Sequence, residues 1–150
     1  MKIKMIVYSY THNTFRLVQE WAEHLNQHAI EIASIHAYDE NPNTKAITLS
    51  DKPSIEAVDH LVFASCVRGF ALAPIMEAYL KQIPNLKGQA CTLVLTQYFP
   101  FEAWGGRQAM KQFKTLIEAK SGIVKDTFIL CRSRKSAAQK ARILNHVPEA

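Results

Sequence analysis

Residues 5–21 read MIVYSYTHNTFRLVQEW, an apolar run that ends in hydroxyl and amide side chains and continues as an amphipathic pattern. The apolar run predicts a strand over residues 3–9, and the pattern that follows predicts a helix over residues 13–28. A short polar turn between a strand and a helix gathers backbone N–H groups at the positive end of the helix dipole. Such a turn is typical of a phosphate site, but Thr11 or Asn13 acting only as a helix cap would give the same pattern.

Strands and helices alternate along most of the remaining chain. Further strands are predicted over residues 30–35, 60–65, 90–95 and 123–130, and further helices over residues 73–82, 107–120 and 136–145. Residues 39–53, which include Asn41-Pro42-Asn43, are predicted as a loop, and residues 55–58 as a single helical turn. This order predicts a three-layer α/β fold with helices on both faces of a parallel sheet of about five strands, in the order 2-1-3-4-5.

The composition is that of a folded globular protein, with 48% hydrophobic and 21% charged residues. A length of 150 residues without a linker predicts a single domain. No apolar run approaches the roughly 20 residues of a membrane span, and nothing resembles a signal peptide, so we expect a cytoplasmic protein. The three cysteines lack metal-ligand spacing, which argues against a zinc site, and Cys91 and Cys131 are predicted to be small buried side chains.

The net charge of +5 comes largely from the end of the chain. The basic residues concentrated there are Lys125, Arg132, Arg134, Lys135, Lys140 and Arg142. They are compatible with an acidic protein partner, an anionic cofactor, nucleic acid or a solvated helix face. No nucleic-acid-binding motif accompanies them, so we do not expect nucleic acid as the partner.

Two more loops are expected beside the first one, because ligands of open parallel sheets bind at the carboxyl ends of the strands. The second loop, residues 65–70, reads SCVRGF, in which Cys66 is either a reactive thiol or a small packed side chain. The third loop, residues 96–106, reads TQYFPFEAWGG and holds four aromatic residues within seven positions. A cluster of exposed aromatic rings is typical of a surface that a ligand or a partner covers. A planar ligand stacked on Tyr98 or Trp104 would supply such a cover, and we expect Phe99 or Phe101 to enter the core.

The first loop resembles the phosphate loop of the flavodoxin family, Ser/Thr-x-Thr-Gly-x-Thr. The residues that match it are Ser9, Thr11, Asn13 and Thr14, and His12 stands in place of the glycine. Glycine is common where backbone approaches a ligand closely or takes a positive φ. His12 would therefore either narrow the site or add a donor to a phosphate.

The other two loops resemble the same family. The second loop is similar to Gly-Ser/Thr-Pro-x-(Tyr/Arg)-x-Gly, with Ala64 in place of the glycine and Cys66 in place of the proline. Gly105 and Gly106 are similar to the Trp/Gly-Gly-x-x-Ala element that opens the following helix. In the quinone reductases of this family an arginine often occurs at the position of Arg68, beside the pyrimidine edge of the flavin; a surface arginine in a tight glycine turn is the alternative.

The resemblance implies a non-covalently bound FMN, with its phosphate on the first loop and its isoalloxazine ring between the two later loops. The cofactor-binding residues that it implies are Ser9, Thr11, His12, Asn13, Thr14, Cys66, Val67, Arg68, Gly69, Thr96, Gln97, Tyr98, Trp104 and Gly105.

Two redox functions follow from that resemblance: an NAD(P)H-dependent quinone or flavin reductase and an electron-transfer flavodoxin. The basic charge and Arg68 should stabilise the negative charge of a reduced flavin, which favours the reductase. Hydride would pass directly to the flavin, so no catalytic side chain is expected. A small-molecule electron acceptor or a redox protein is the expected partner, and a homodimer is an expectation. The departures at His12, Ala64 and Cys66 leave a flavin-free binding module, which would use the basic face, as the alternative.

Overall fold

The structure, a computed structural model, describes residues 1–41, 46–133 and 136–150. Its strands are β1 (Lys2–Val7), β2 (Ala29–Ser34), β3 (His36–Ala37), β4 (Leu49–Asp51), β5 (His60–Arg68), β6 (Ala71–Leu72), β7 (Ala90–Gln97) and β8 (Ile123–Cys131). Its helices are α1 (Asn13–His24), α2 (Pro74–Gln82), α3 (Gly106–Ala119) and α4 (Ser136–Leu144).

Five strands form a parallel sheet in the order β2-β1-β5-β7-β8, which confirms the predicted 2-1-3-4-5 order. Helices cover both faces, as parallel sheets require. The core on one face joins the sheet to α2 and α3 through Phe63, Met76 and Phe113. The core on the other face joins it to α1 and α4 through Trp21 and Ile143. The predicted three-layer α/β architecture is therefore confirmed.

Two elements depart from the sequence prediction between β2 and β5. Residues 49–51, predicted as loop, form β4, which pairs antiparallel with the two-residue β3. Residues 55–58 are not the predicted helical turn but irregular chain that bends at Ala57, where φ is 61°. This segment is held against α2 because the Tyr79 hydroxyl donates a hydrogen bond to the Pro53 carbonyl. Of the predicted Asn-Pro-Asn loop, Pro42 and Asn43 lie outside the described residues.

Four predicted boundaries were also wrong by two residues or more. The first strand ends at Val7 rather than at residue 9. The first helix ends at His24 rather than at residue 28, because the Leu25 N–H turns back to the carbonyls of Trp21 and Ala22. The third and fourth strands of the sheet continue past residues 65 and 95, to Arg68 and Gln97. The predicted second and third loops therefore begin inside strands β5 and β7.

The segment 145–150 closes the N-terminal end of the sheet. The carbonyl of His146 accepts a hydrogen bond from the Trp21 indole at 2.9 Å. Further along, the Glu149 carbonyl lies 2.6 Å from Nδ1 of the buried His60, whose Nε2 lies 2.7 Å from the Thr92 hydroxyl. Since a carbonyl only accepts, His60 is the Nδ1–H tautomer, and the Thr92 hydroxyl donates to its Nε2. The nine-residue helix α4 is thereby extended by a strap of irregular chain.

Candidate functional site

The first loop joins the end of β1 to the start of α1. His12 is the N-cap of α1 and takes the left-handed conformation, with φ 64° and ψ 0°. This is the conformation that glycine adopts most readily, and histidine tolerates it at a cost of about 1 kcal/mol. His12 therefore fills the glycine position of the resemblance without changing the course of the backbone.

The N-terminus of α1 has donors left over for a ligand. No side chain caps the helix through residue 12, so the predicted capping by Thr11 or Asn13 is not the arrangement found. Instead, Asn13 Nδ2 donates to Thr11 Oγ1 at 2.7 Å, and the Phe15 N–H donates to Ser9 Oγ at 3.3 Å. The N–H groups in the first turn of a helix have no acceptor within the helix itself. The Phe15 N–H is bonded to Ser9, whereas those of Asn13 and Thr14 have no acceptor among the described residues. A small anion fits this cradle.

Thr14 lies below the cradle rather than in it. Its side chain is buried, and its hydroxyl lies 2.8 Å from that of the buried Thr96 in β7. The pair ties the first loop to the strand that leads into the third loop. Of the predicted phosphate ligands, Thr14 accordingly offers its backbone N–H, whereas Ser9, Thr11, His12 and Asn13 also present side chains that are at least partly exposed.

The second loop is a tight β-hairpin between β5 and β6, with Arg68 paired to Ala71. Its two central residues both have positive φ, 54° at Gly69 and 63° at Phe70, as a type I′ turn requires. Arg68 turns toward the first loop, where its guanidinium carbon lies 4.4 Å from the centroid of the Tyr10 ring. Val67 packs against the core instead.

Cys66 lies beside Arg68 and is half-buried. Burial raises the pKa of its thiol, and the Tyr10 backbone and the Arg68 charge oppose that increase. A thiol with a raised pKa carries little thiolate at neutral pH, so Cys66 acts as a packed side chain rather than as a nucleophile. Cys91 and Cys131 are buried as predicted.

The third loop is organised by Gln97, which is buried at the end of β7. Its Nε2 donates to the carbonyls of Phe99 and Phe101, at 3.1 and 2.7 Å. The side chain of Gln97 thus supports the loop from beneath, as Thr96 supports the first loop. Contrary to expectation, neither Phe99 nor Phe101 enters the core, since they are 41% and 43% exposed.

The second and third loops touch each other directly. The ring of Phe70 stacks on that of Phe99, with centroids 5.4 Å apart and planes 8° apart. Gly105, the N-cap of α3, lies so close that an added Cβ would be 2.9 Å from the Phe70 Cα. A planar ligand between these two loops would have to displace Phe70 or lie outside the stacked pair.

Aromatic faces suited to a planar ring remain open beside that contact. Tyr98 is 66% exposed, and Trp104, which lies edge-on to Phe101, is 50% exposed. Tyr10 on the first loop is also exposed. Tyr10 and Tyr98 follow β1 and β7, which are two strand spacings apart, about 10 Å. The exposed rings of Tyr10 and Tyr98 therefore lie on opposite sides of Cys66, and a planar ligand could stack on either of them.

Two residues at the carboxyl-end edge of the sheet, where the candidate site lies, were not identified from the sequence. Tyr10 belongs to the first loop, but only its contact with Arg68 shows that it joins the first two loops. Arg132 follows β8, and its guanidinium carbon lies 6.0 Å from the centroid of the Tyr98 ring. The sequence showed it only as one of several late basic residues.

The basic residues do not form one continuous site in the described chain. Lys140 pairs with Glu20 at 2.8 Å, whereas Arg132 lies at the candidate site. Arg134 and Lys135 lie outside the described residues. Among the residues that the structure describes, no group of three metal-ligating side chains comes together, and no helix is long and apolar enough to span a membrane.

Comparison with known proteins identifies the fold. No protein-family model matches the chain, and no curated protein is significantly similar to it in sequence. Solved structures are similar to it over nearly its whole length. A WrbA-like flavodoxin from Agrobacterium tumefaciens has a TM-score of 0.71 at 11% identity, with 95% of this chain and 90% of that chain covered.

Two other flavoproteins extend the comparison. An NADH:FMN oxidoreductase solved in its apo form has a TM-score of 0.67 at 17% identity and covers 97% of this chain and 87% of its own. A flavoprotein from Lactobacillus acidophilus, solved in complex with FMN, has a TM-score of 0.66 at 14% identity and covers 85% and 92%. The chain therefore has a flavodoxin-like fold, as its loops predicted.

Proposed function

We propose that this protein binds FMN and uses it in a redox reaction. The observation that carries the proposal is the cradle at the start of α1, where unpaired N–H groups and the Ser9 and Thr11 hydroxyls meet at the C-terminal edge of the sheet. The dipole of a 12-residue helix adds to the attraction for a phosphate monoester. Flavoproteins among the similar structures support the same assignment.

The described residues fit both ends of FMN. The phosphate would lie on residues 9–14, and the isoalloxazine ring would stack on Tyr98 or Trp104, with Cys66 to Gly69 and Gly105 along its edge. Thr96 and Gln97 would act from beneath, by holding Thr14 and the third loop in place. When bound, FMN supplies the capacity to accept and release two electrons.

Positive charge around the ring site favours a reductase over an electron carrier. Arg68 and Arg132 each lie against an exposed tyrosine of the site. Their guanidinium groups would stabilise the negative charge that the ring gains on reduction. We therefore infer that the protein is an NAD(P)H-dependent quinone or flavin reductase; an electron-transfer flavodoxin is the alternative redox function. No side chain needs to move a proton in this scheme; Tyr10 and Arg68 orient the ring and set its electrostatics.

The charge argument makes a direct prediction about potential. Replacing Arg68 by alanine should lower the two-electron midpoint potential of bound FMN, because a cation that stabilises the reduced ring is removed. Potentiometric titration of Arg68→Ala beside the exposed Arg142→Ala on α4 would measure it. Equal potentials in both variants and the parent would contradict the role of Arg68.

One observation favours a second candidate, a flavin-free binding module. Phe70 stacked on Phe99 fills the space between the second and third loops, where the resemblance would put the ring. Such a protein would be colourless as purified and would leave the spectrum of added FMN unchanged. A purified protein with bound-flavin absorbance, followed by NAD(P)H oxidation with a quinone acceptor, would support the reductase instead.

A further inference from the structure

A cavity of about 270 Å³ opens beside Arg68 and Gly69 of the hairpin. It lies between the end of β1, the segment after β3 and the start of α2. The lining residues used below are Tyr8, Glu40, Ile47, Arg68, Pro74 and Ile75. We call it the Tyr8 cavity. None of the first-loop residues 9–14 lines it, so it is distinct from the phosphate cradle.

The Tyr8 cavity has a positive and a negative pole. The guanidinium group of Arg68 forms no ion pair with the described residues, and it lies over the ring of Tyr10. Glu40 provides a carboxylate, which lies 3.5 Å from His36 Nδ1. Both charges act on the Tyr8 hydroxyl, and they shift its pKa in opposite directions. The Tyr8 hydroxyl therefore lies close enough to both Arg68 and Glu40 to interact with their charges.

Tyr8 itself is a neutral donor between the poles. It is buried, and burial is the main cause that raises the pKa of its phenol; the Glu40 carboxylate adds to the increase. A phenol with a raised pKa keeps its proton at neutral pH and can donate a hydrogen bond to an anionic oxygen. Together with Arg68, it offers the donors that a carboxylate needs.

The remaining wall limits the size and polarity of the ligand. Ile47, Pro74 and Ile75 contribute apolar surface. The volume is just below the range of about 300 to 1,000 Å³ that is usual for drug-sized ligands. A dinucleotide or a whole flavin is therefore too large, and the fitting ligand is a small molecule with an apolar body.

We propose that the Tyr8 cavity binds a small zwitterion, an α-amino acid with an apolar side chain. Its carboxylate would pair with Arg68 and the Tyr8 hydroxyl, its ammonium group with Glu40, and its side chain would pack on Ile47 and Ile75. This site goes beyond the proposed redox function and does not depend on it, because side chains of the protein, and not FMN, would hold the ligand; Arg68 is a residue that the two sites share.

Three probes with the same carbon skeleton test the proposal by isothermal titration calorimetry on the full chain. L-Leucine carries both charges, 4-methylpentanoate lacks the ammonium group, and 3-methylbutylamine lacks the carboxylate. Leucine should bind at least tenfold more tightly than either analogue when FMN is absent, so that Arg68 is free to pair with the carboxylate. Binding of all three with equal affinity, or no binding of leucine, would overturn the proposal.

Variants assign the two poles. Arg68→Gln should weaken leucine and 4-methylpentanoate at least tenfold and leave 3-methylbutylamine unchanged, whereas Glu40→Gln should weaken leucine and 3-methylbutylamine only. Arg142→Gln is the matched control, since it removes one positive charge from α4. A loss of leucine binding in that control equal to the loss in Arg68→Gln would show a nonspecific charge effect and reject the cavity. Both residues at the poles are only partly buried, so the variants should fold, and circular dichroism checks this.

Discussion

Two six-residue segments at opposite ends of the sheet use their polar groups differently. In residues 145–150, the backbone carbonyls of His146 and Glu149 are bonded to Trp21 and His60. In residues 9–14, the N–H groups at the start of α1 have no acceptor within the described chain. Buried polar groups are costly when they are unbonded, whereas exposed ones are free to bind a ligand. The first segment therefore stabilises the fold, and the other is available for function.

The largest effect is expected where the strap meets the sheet. His60→Ala removes both hydrogen bonds of a buried side chain and leaves a cavity, so the free energy of unfolding should fall by about 3 kcal/mol. Thr11→Ala in the first loop removes only an exposed contact with Asn13, and it should change stability by less than about 0.5 kcal/mol. Urea denaturation of both variants measures the difference. An equal loss of unfolding free energy in both variants would contradict the claim that residues 145–150 stabilise the fold more than residues 9–14 do.

A somewhat smaller loss is expected beside the first loop, where the hairpin and the third loop touch. Gly105→Ala puts a Cβ 2.9 Å from the Phe70 Cα and at a φ of 102°, and it should cost about 2 kcal/mol. Gly69→Ala is the matched control, because it has a positive φ but open space around its Cβ; it should cost about 1 kcal/mol. Thermal unfolding would rank them, and a Gly69 variant as unstable as the Gly105 variant would refute the close packing.

The strap should also make stability depend on pH. Burial lowers the pKa of His60 below its unfolded value of about 6.5. The unfolded state then binds more protons than the folded state, so stability should fall as the pH decreases below 6.5 and be fully present above it. His146, Asp126 and Lys125 also act on His60, so the parent should be compared with His60→Gln. The same pH slope in both proteins would contradict this origin.

The smallest effect is expected at His12. His12→Gly relieves a left-handed conformation but loosens the unfolded chain, so a net gain of no more than about 1 kcal/mol is expected. His12→Ala keeps the strain and should give no gain. Chemical denaturation of the two variants would show whether the backbone at His12 is strained. An equal gain in the free energy of unfolding in the alanine and glycine variants would exclude strain at this position.

The sequence predicted the order of the sheet because alternating apolar strands and amphipathic helices are local patterns. It did not predict the extension of β5 and its hairpin, because these depend on pairing between Arg68 and Ala71 and on the packing of Phe70 against Gly105. Segment 55–58 was predicted to be helical, but it is irregular, and the chain just before it is held to α2 by the hydrogen bond from Tyr79 to Pro53. Thr14 matched a phosphate motif in sequence, but its bond to Thr96 joins residues 82 positions apart. Such contacts across the fold leave no local pattern.

The central claim is that the loop of residues 9–14 binds the phosphate of FMN. A fluorescence titration of the protein with FMN and with riboflavin, which lacks only the phosphate, tests it most directly. The phosphate contacts predict that FMN binds at least about 100-fold more tightly than riboflavin, a difference of about 2.7 kcal/mol. Equal affinity for the two flavins, or no binding of FMN, would contradict the claim.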